Sequence, residues 1–271
     1  MPFLSYWYLD VKDETTLLDG LCRRICLPAP VKNIDSIKEF KVYSKALARK
    51  TFGPMRLVTL ADVEAFIESL NMSRKKKEKY RASLDDLLSI VLFAYGAYRH
   101  PKKYAVDPFG KKEAYSERKP MRAILPRKFK FRSKHGVLVE LVTQRIYQLE
   151  CCIKGMTACE KLKFLSSFAD CPSLYELDIS RMEACYSDIC MYLEYYVFSL
   201  ILPMYERAFY YFYKFFSGKQ YIKTRSFVVK CEGRRMSGEM TTAVTHLLMN
   251  YFLINYACYT SGCVLERCGL E

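Results

Sequence analysis

TRSFVVKCEGRRMSGEMTTAVTHLLMNYFLINYACY, residues 224–259, reads in order as strand, glycine-punctuated turn and long apolar helix. The strand reading covers 224–230, the turn CEGRRMSGE covers 231–239, and the helix runs over 241–259. Most of the chain upstream shows helical spacing instead, so this succession predicts an α+β fold rather than an all-helical one. No internal repeat and no low-complexity segment interrupts it.

Working outward, 271 residues with 51% apolar and 27% charged side chains suffice for one large or two modest domains with a real core. That composition excludes a disordered tail, a collagenous chain and a disulfide-stapled miniprotein. Lys+Arg 43 against Asp+Glu 29 gives a formal charge of +14, which favours a polyanionic partner, nucleic acid or an acidic membrane surface. The start MPFLSYWYLD lacks a basic segment followed by an apolar run, so no secretory signal is expected. The 12 cysteines are scattered without a CxxC pair and are expected to be reduced thiols that hold no zinc. The most apolar stretch, 196–216, carries Pro203, Glu206 and Arg207 at its centre. It predicts a helix pair broken at Pro203 and no transmembrane segment.

Residues 1–58 show no strong period and are expected to be an N-terminal extension packed on the body. From Leu60 the apolar positions Leu60, Val63, Phe66, Ile67 and Leu70 follow helical spacing, and this helix is expected to run on into SRKKKEKYR at 73–81. Ser83 and Asp86 loosely resemble a capping box opening a second helix, LLSIVLFAYGAY, with Asp85 and Asp86 in its first turn. Residues 101–135 hold twelve basic side chains against Asp107, Glu113 and Glu117. Prolines at 101, 108, 120 and 126 forbid a long helix there, and Arg122-Ala-Ile-Leu and Phe129-Lys-Phe alternate like short strands. A basic extended hairpin suits contact with several phosphates at once. Residues 138–153 read as helix, and SLYELDIS at 173–180 as a buried strand whose end carries Asp178, followed by Glu183. A carboxylate at a strand end suits a hard divalent cation.

The order of these signals resembles the viral RNA-dependent RNA polymerases of the tombusvirus-like and narnavirus-like groups of positive-strand RNA viruses. Phe109-Gly-Lys-Lys-Glu113 with Lys119-Pro-Met-Arg-Ala-Ile-Leu-Pro-Arg127 looks like their motif F, and Leu177-Asp-Ile-Ser-Arg-Met-Glu183 looks like motif A. Gly233-Arg-Arg-Met-Ser-Gly-Glu-Met-Thr-Thr242 looks like motif B and is the most specific match. The resemblance implies the fingers and the first part of the palm of a right-hand polymerase. Residues 59–172 would be fingers with the basic hairpin, and 173–271 a partial palm with a helical fingers insertion at about 190–230.

By the same resemblance Lys111, Arg122 and Arg127 would lie along the triphosphate of an incoming nucleotide, neutralising charge that passes to pyrophosphate. Asp178 would hold catalytic Mg2+ or Mn2+, Ser237 and Gly238 would form a loop beside the nascent base pair, and Thr242 would bond near the ribose. Glu183 stands where the family has a second aspartate and His246 where it has asparagine, the two positions that sense the ribose 2′-hydroxyl. The family's Gly-Asp-Asp turn, motif C, has no counterpart in this chain. A divided polymerase is therefore expected, with a second chain supplying motif C and the thumb and completing the metal site, acting on RNA template and nucleoside triphosphates within a viral replication complex in the host cytoplasm. The alternative is a catalytically inactive RNA-binding protein on a degenerate polymerase scaffold.

Overall fold

The computed structural model describes residues 7–8, 13–23, 25–26, 34–53, 59–70, 72–83, 87–115, 120–171, 173, 176–177, 179, 185–265 and 267–270. Among them the fold is helix-rich with short antiparallel ladders, compatible with the α+β expectation. The helices are α1 (Glu14–Cys22), α2 (Ile34–Thr51), α3 (Leu60–Ser69), α4 (Arg74–Ser83), α5 (Leu87–Arg99), α6 (Phe129–Ile146), α7 (Ala158–Ser166), α8 (Asp188–Ile201), α9 (Glu206–Ser217) and α10 (Thr242–Ser261). The strands are β1 (Trp7–Tyr8), β2 (Phe109–Gly110), β3 (Ala114–Tyr115), β4 (Ala123–Ile124), β5 (Lys219–Lys223) and β6 (Val228–Glu232). They pair as β1–β3, β2–β4 and β5–β6, with Lys219 opposite Glu232 and Phe109 opposite Ile124.

Local chemistry sets several of these boundaries. Asp13 caps α1 by accepting from the backbone N–H groups of Thr15 and Thr16, and Thr157 and Glu160 form a reciprocal capping box on α7. Pro203 separates α8 from α9 through one turn of 3-10 helix, as the sequence predicts. Gly262, left-handed at φ 67°, ends α10. No described helix is long and apolar enough to cross a membrane.

Several expectations change. The strand read over 224–230 is β6 at Val228–Glu232, and the helix read over 138–153 ends at Ile146. The helix begun at Leu60 stops at Ser69, and the basic run forms a separate helix, α4. Phe129-Lys-Phe opens α6 rather than a strand, because Phe131, His135, Leu138 and Val142 recur at helical spacing and are all buried. Leu177 and Ile179 are exposed and belong to no strand, so the buried strand expected over 173–180 is not found among its described residues. Of the expected capping box, Ser83 is the last residue of α4 while Asp86, like Asp85 and most of 172–184, lies outside the described residues.

Helices α5, α9, α8, α2 and α10 pack in succession. They enclose a large core with α6, eleven of whose 18 residues are buried. Residues 1–58 share in both cores: Phe40, Ala48 and Phe52 of the α2 segment enter the large one, Leu17 and Leu21 of α1 the small one. In the small core α1 meets Met121, Ala123 and Leu125 around β4, Ile222 of β5, Cys231 of β6, and Met236 of the following turn. It thereby becomes the floor under the basic hairpin and the 233–242 turn.

Candidate nucleotide and nucleic-acid site

Residues 121–127 run extended with side chains alternating between core and outside: Met121, Ala123, Leu125 and Arg127 are buried, and Arg122 is exposed. Parity therefore separates two arginines that the sequence places together. Arg122 projects outward beside Lys111, whose backbone N–H donates to the Arg122 carbonyl at 2.8 Å. Both side chains pair with Glu113, Arg122 at 3.1 Å, and remain 43% and 46% exposed for Lys111 and Arg122. Two cations sharing one carboxylate leave net positive charge at this edge, with the exposed Lys112 between them in sequence. Exposed guanidinium and ammonium groups of this kind donate to phosphate oxygens.

Arg127 faces the other way. Its side chain and that of Glu239 are 3% and 2% exposed and pair at 2.7 Å. Arg127 also donates to the Tyr104 carbonyl at 2.9 Å and to Gln220, and lies 4.8 Å over the Phe215 ring. Glu239 accepts at its second oxygen from Arg235 at 2.9 Å, and Arg235 in turn donates to Thr241 at 2.6 Å and to Glu194. Glu194 also accepts from the Tyr186 hydroxyl at 3.2 Å. Arg127, Glu239, Arg235 and Glu194 thus alternate guanidinium and carboxyl groups through the interior, two of each kind. Burial pushes Glu194 up to about 7 against the attraction of Arg235. His135 packs 4.4 Å from the Phe212 ring and is held down to about 3 by burial, with Arg235 and then Arg127 adding to the effect.

The 233–242 turn is pressed against the hairpin. The Leu125 N–H donates to the Ser237 carbonyl at 2.7 Å. Gly238 has φ 92°, and a Cβ there would stand 2.9 Å from Ile124 Cγ2, so both backbone shape and close approach require glycine. Ser237 is half-buried and Gly238 exposed. Thr242 turns its hydroxyl back to the Met236 carbonyl at 3.1 Å, which closes the loop before α10. His246 follows one turn along α10, half-buried, with its ring 5.9 Å from Tyr186.

The structure therefore brings Lys111, Arg122, Ser237 and Gly238 to one edge, with Thr242 bracing the loop and His246 next along the helix. It assigns Arg127 to the joint behind that edge. Asp178 and Glu183 lie outside the described residues, and among the described residues no three His, Cys, Asp or Glu side chains gather as a metal site. Sequence reasoning missed Glu194, Gln220 and Glu239; the available signal was a lone carboxylate within the apolar run of α8. None of the known protein families and none of the curated proteins matches this chain.

Proposed function

We propose that this chain is the fingers and partial palm of a divided viral RNA-dependent RNA polymerase. The observation that supports it is the direct joining of the two most polymerase-like segments, 112 positions apart at the Arg127–Glu239 pair. Leu125 and Ser237 are hydrogen-bonded backbone to backbone at the same place. A nucleotide lying along this edge meets Lys111 and Arg122 at its phosphates and the exposed Gly238 backbone beside its base. Arg127 acts as a positioning residue that fixes the 233–242 turn on the hairpin.

A second chain then supplies the Gly-Asp-Asp turn and the thumb, and the exposed Leu177 and Ile179 are apolar surface for its strands to cover. Asp178 and the partner's acids would hold magnesium, which would supply charge neutralisation for the nucleotidyl transfer. RNA template and nucleoside triphosphates are the substrates, and a viral replication complex in host cytoplasm is the setting.

The test is to isolate the chain from its native host, sequence the peptides that accompany it, and assay the eluate for primer extension. A companion chain bearing a Gly-Asp-Asp turn, with extension lost in Asp178→Ala, is the expected outcome. A chain that elutes with RNA, alone and inert, overturns the proposal in favour of an inactive RNA-binding protein on a polymerase scaffold.

A further inference from the structure

Helix α9, ERAFYYFYKFFS, sorts its aromatics by the hydroxyl group. Phe209, Phe212, Phe215 and Phe216 are buried, while Tyr210 is 41% exposed and Tyr211 and Tyr213 are half-buried. A phenol ring needs a wet end that a phenyl ring does not, so the tyrosines take the face toward solvent. On the inner face Phe215 and Phe216 lie against Arg127 and Arg235. A layer of phenyl rings thus separates the outer tyrosines from the nucleotide edge.

The outer rings form a continuous series across three helices. Tyr98 of α5 stacks on Tyr211 at 6.4 Å and 20°, and Tyr211 touches Tyr210 at 5.7 Å. Tyr210 meets Tyr195 of α8 at 6.0 Å, Tyr195 meets Tyr192 at 6.1 Å, and Tyr192 stacks on Tyr196 at 6.5 Å and 18°. Cations line the series. Lys41 and Lys45 of α2 sit 3.9 Å and 4.8 Å over Tyr192 and Tyr196, Arg49 is 5.8 Å from Tyr196, and Lys214 is 5.8 Å from Tyr210. The carboxylates on this face, Asp188 and Glu206, accept from the hydroxyls of Tyr213 and Tyr195 at 3.2 Å and 3.1 Å. Cations therefore outnumber carboxylates on a surface of π-faces.

We propose that this tyrosine face is a second nucleic-acid site that takes single-stranded RNA. Bases stack on the rings at the exposed end, Tyr98 and Tyr210, and the strand's phosphates run toward Lys214, Lys41, Lys45 and Arg49. A polyanion with flat aromatic units satisfies both halves of the surface, which a bare polyphosphate does not. The site stands apart from the nucleotide edge and holds whether or not that edge grips nucleotide.

The test uses the full chain and a fluorescein-labelled oligouridylate of about 12 nucleotides, with an abasic ribose-phosphate oligomer of equal length as the second probe. The triple variant Tyr98→Ser, Tyr210→Ser and Tyr211→Ser is expected to lose about tenfold or more in affinity for the oligouridylate while keeping its affinity for the abasic oligomer. Photo-crosslinking of the unaltered chain to a thiouridine-substituted oligomer is expected to mark peptides from α5 and α9. Crosslinks confined to 109–127, or a folded triple variant that binds oligouridylate as the parent does, overturn the proposal. Capture by anionic vesicles with no binding of either oligomer overturns it in favour of a lipid surface. The variant pair Lys111→Ala and Arg122→Ala, which leaves the face intact, separates failure of the nucleotide edge from failure of this one.

Discussion

Arg122 and Arg127 lie five positions apart in one extended segment, and odd–even parity gives one to solvent and the other to the interior. The interior destination makes a second demand, because two guanidinium groups there need two carboxylates. His135 and Glu194, both beside Arg235, respond to the same burial with opposite consequences for acid stability. His135 is held down to about 3 from 6.5, so between those values the unfolded chain takes up a proton that the folded chain refuses, and stability falls as pH drops. Glu194 is raised from 4.5 to about 7, so the folded chain holds a proton that the unfolded chain has released, and stability rises as pH drops through that window. Each effect approaches about 1.4 kcal/mol per pH unit, and the two offset each other where the windows overlap. Urea unfolding between about pH 7 and 5 is expected to show a shallow dependence for the parent, stability falling with acid in Glu194→Gln, and stability rising with acid in His135→Phe. Equal slopes in the two variants would sink the assignment. Parity was available from the sequence in the alternation Met-Arg-Ala-Ile-Leu-Pro-Arg; the ion chain was not, since its members come from three separated segments, at 127, at 194 and at 235–239.

Helix docking turns on which atom faces a glycine. A Cβ at Gly20 of α1 would stand 2.4 Å from the Met121 carbonyl oxygen, a backbone atom tied into the hairpin. At Gly136 of α6 the obstacle is the end of the Met240 side chain at 2.5 Å, which is free to swing aside. Gly20→Ala is therefore expected to lower stability by about 1–3 kcal/mol. Gly136→Ala should stay near neutral, its contact offset by a helix-propensity gain of about 1 kcal/mol. Thermal unfolding of the two single variants checks the contrast; a larger loss at Gly136 would show that Met240 is fixed in place. The same dependence on neighbours limits what periodicity reveals. The helices at 60–69, 87–99 and 242–261 and the break at Pro203 were legible because their apolar spacing persists over many residues. Strand β5 was not anticipated, since Lys-Gln-Tyr-Ile-Lys gains its strand character from pairing with β6 and from Gln220 being drawn under Arg127. The break between α3 and α4 was hidden because Leu70, Met72 and Tyr80 pack on the large core from both sides of it.

Across the whole molecule, charge is concentrated more sharply than the total of +14 conveys, with twelve basic residues against three acidic ones between 101 and 135. Folding removes part of that charge from service: Arg127 is spent inside, and Glu113 draws on Lys111 and Arg122. The two half-exposed cations keep their reach to a phosphate because their shared partner carries a single negative charge. If each neutralises one phosphate of a single strand, each contributes about 0.7 to the slope of log affinity against log salt. The double variant Lys111→Ala and Arg122→Ala is therefore expected to bind an RNA oligomer more weakly at low salt and to show a slope shallower by about 1.4. Fluorescence anisotropy over a salt series measures both quantities. Weaker binding with an unchanged slope would mean that the pair shapes the hairpin without touching phosphate, because a lost ion contact must release fewer counterions. An unchanged affinity with an unchanged slope would place the RNA-contacting charge elsewhere, on the cations that border the tyrosine face.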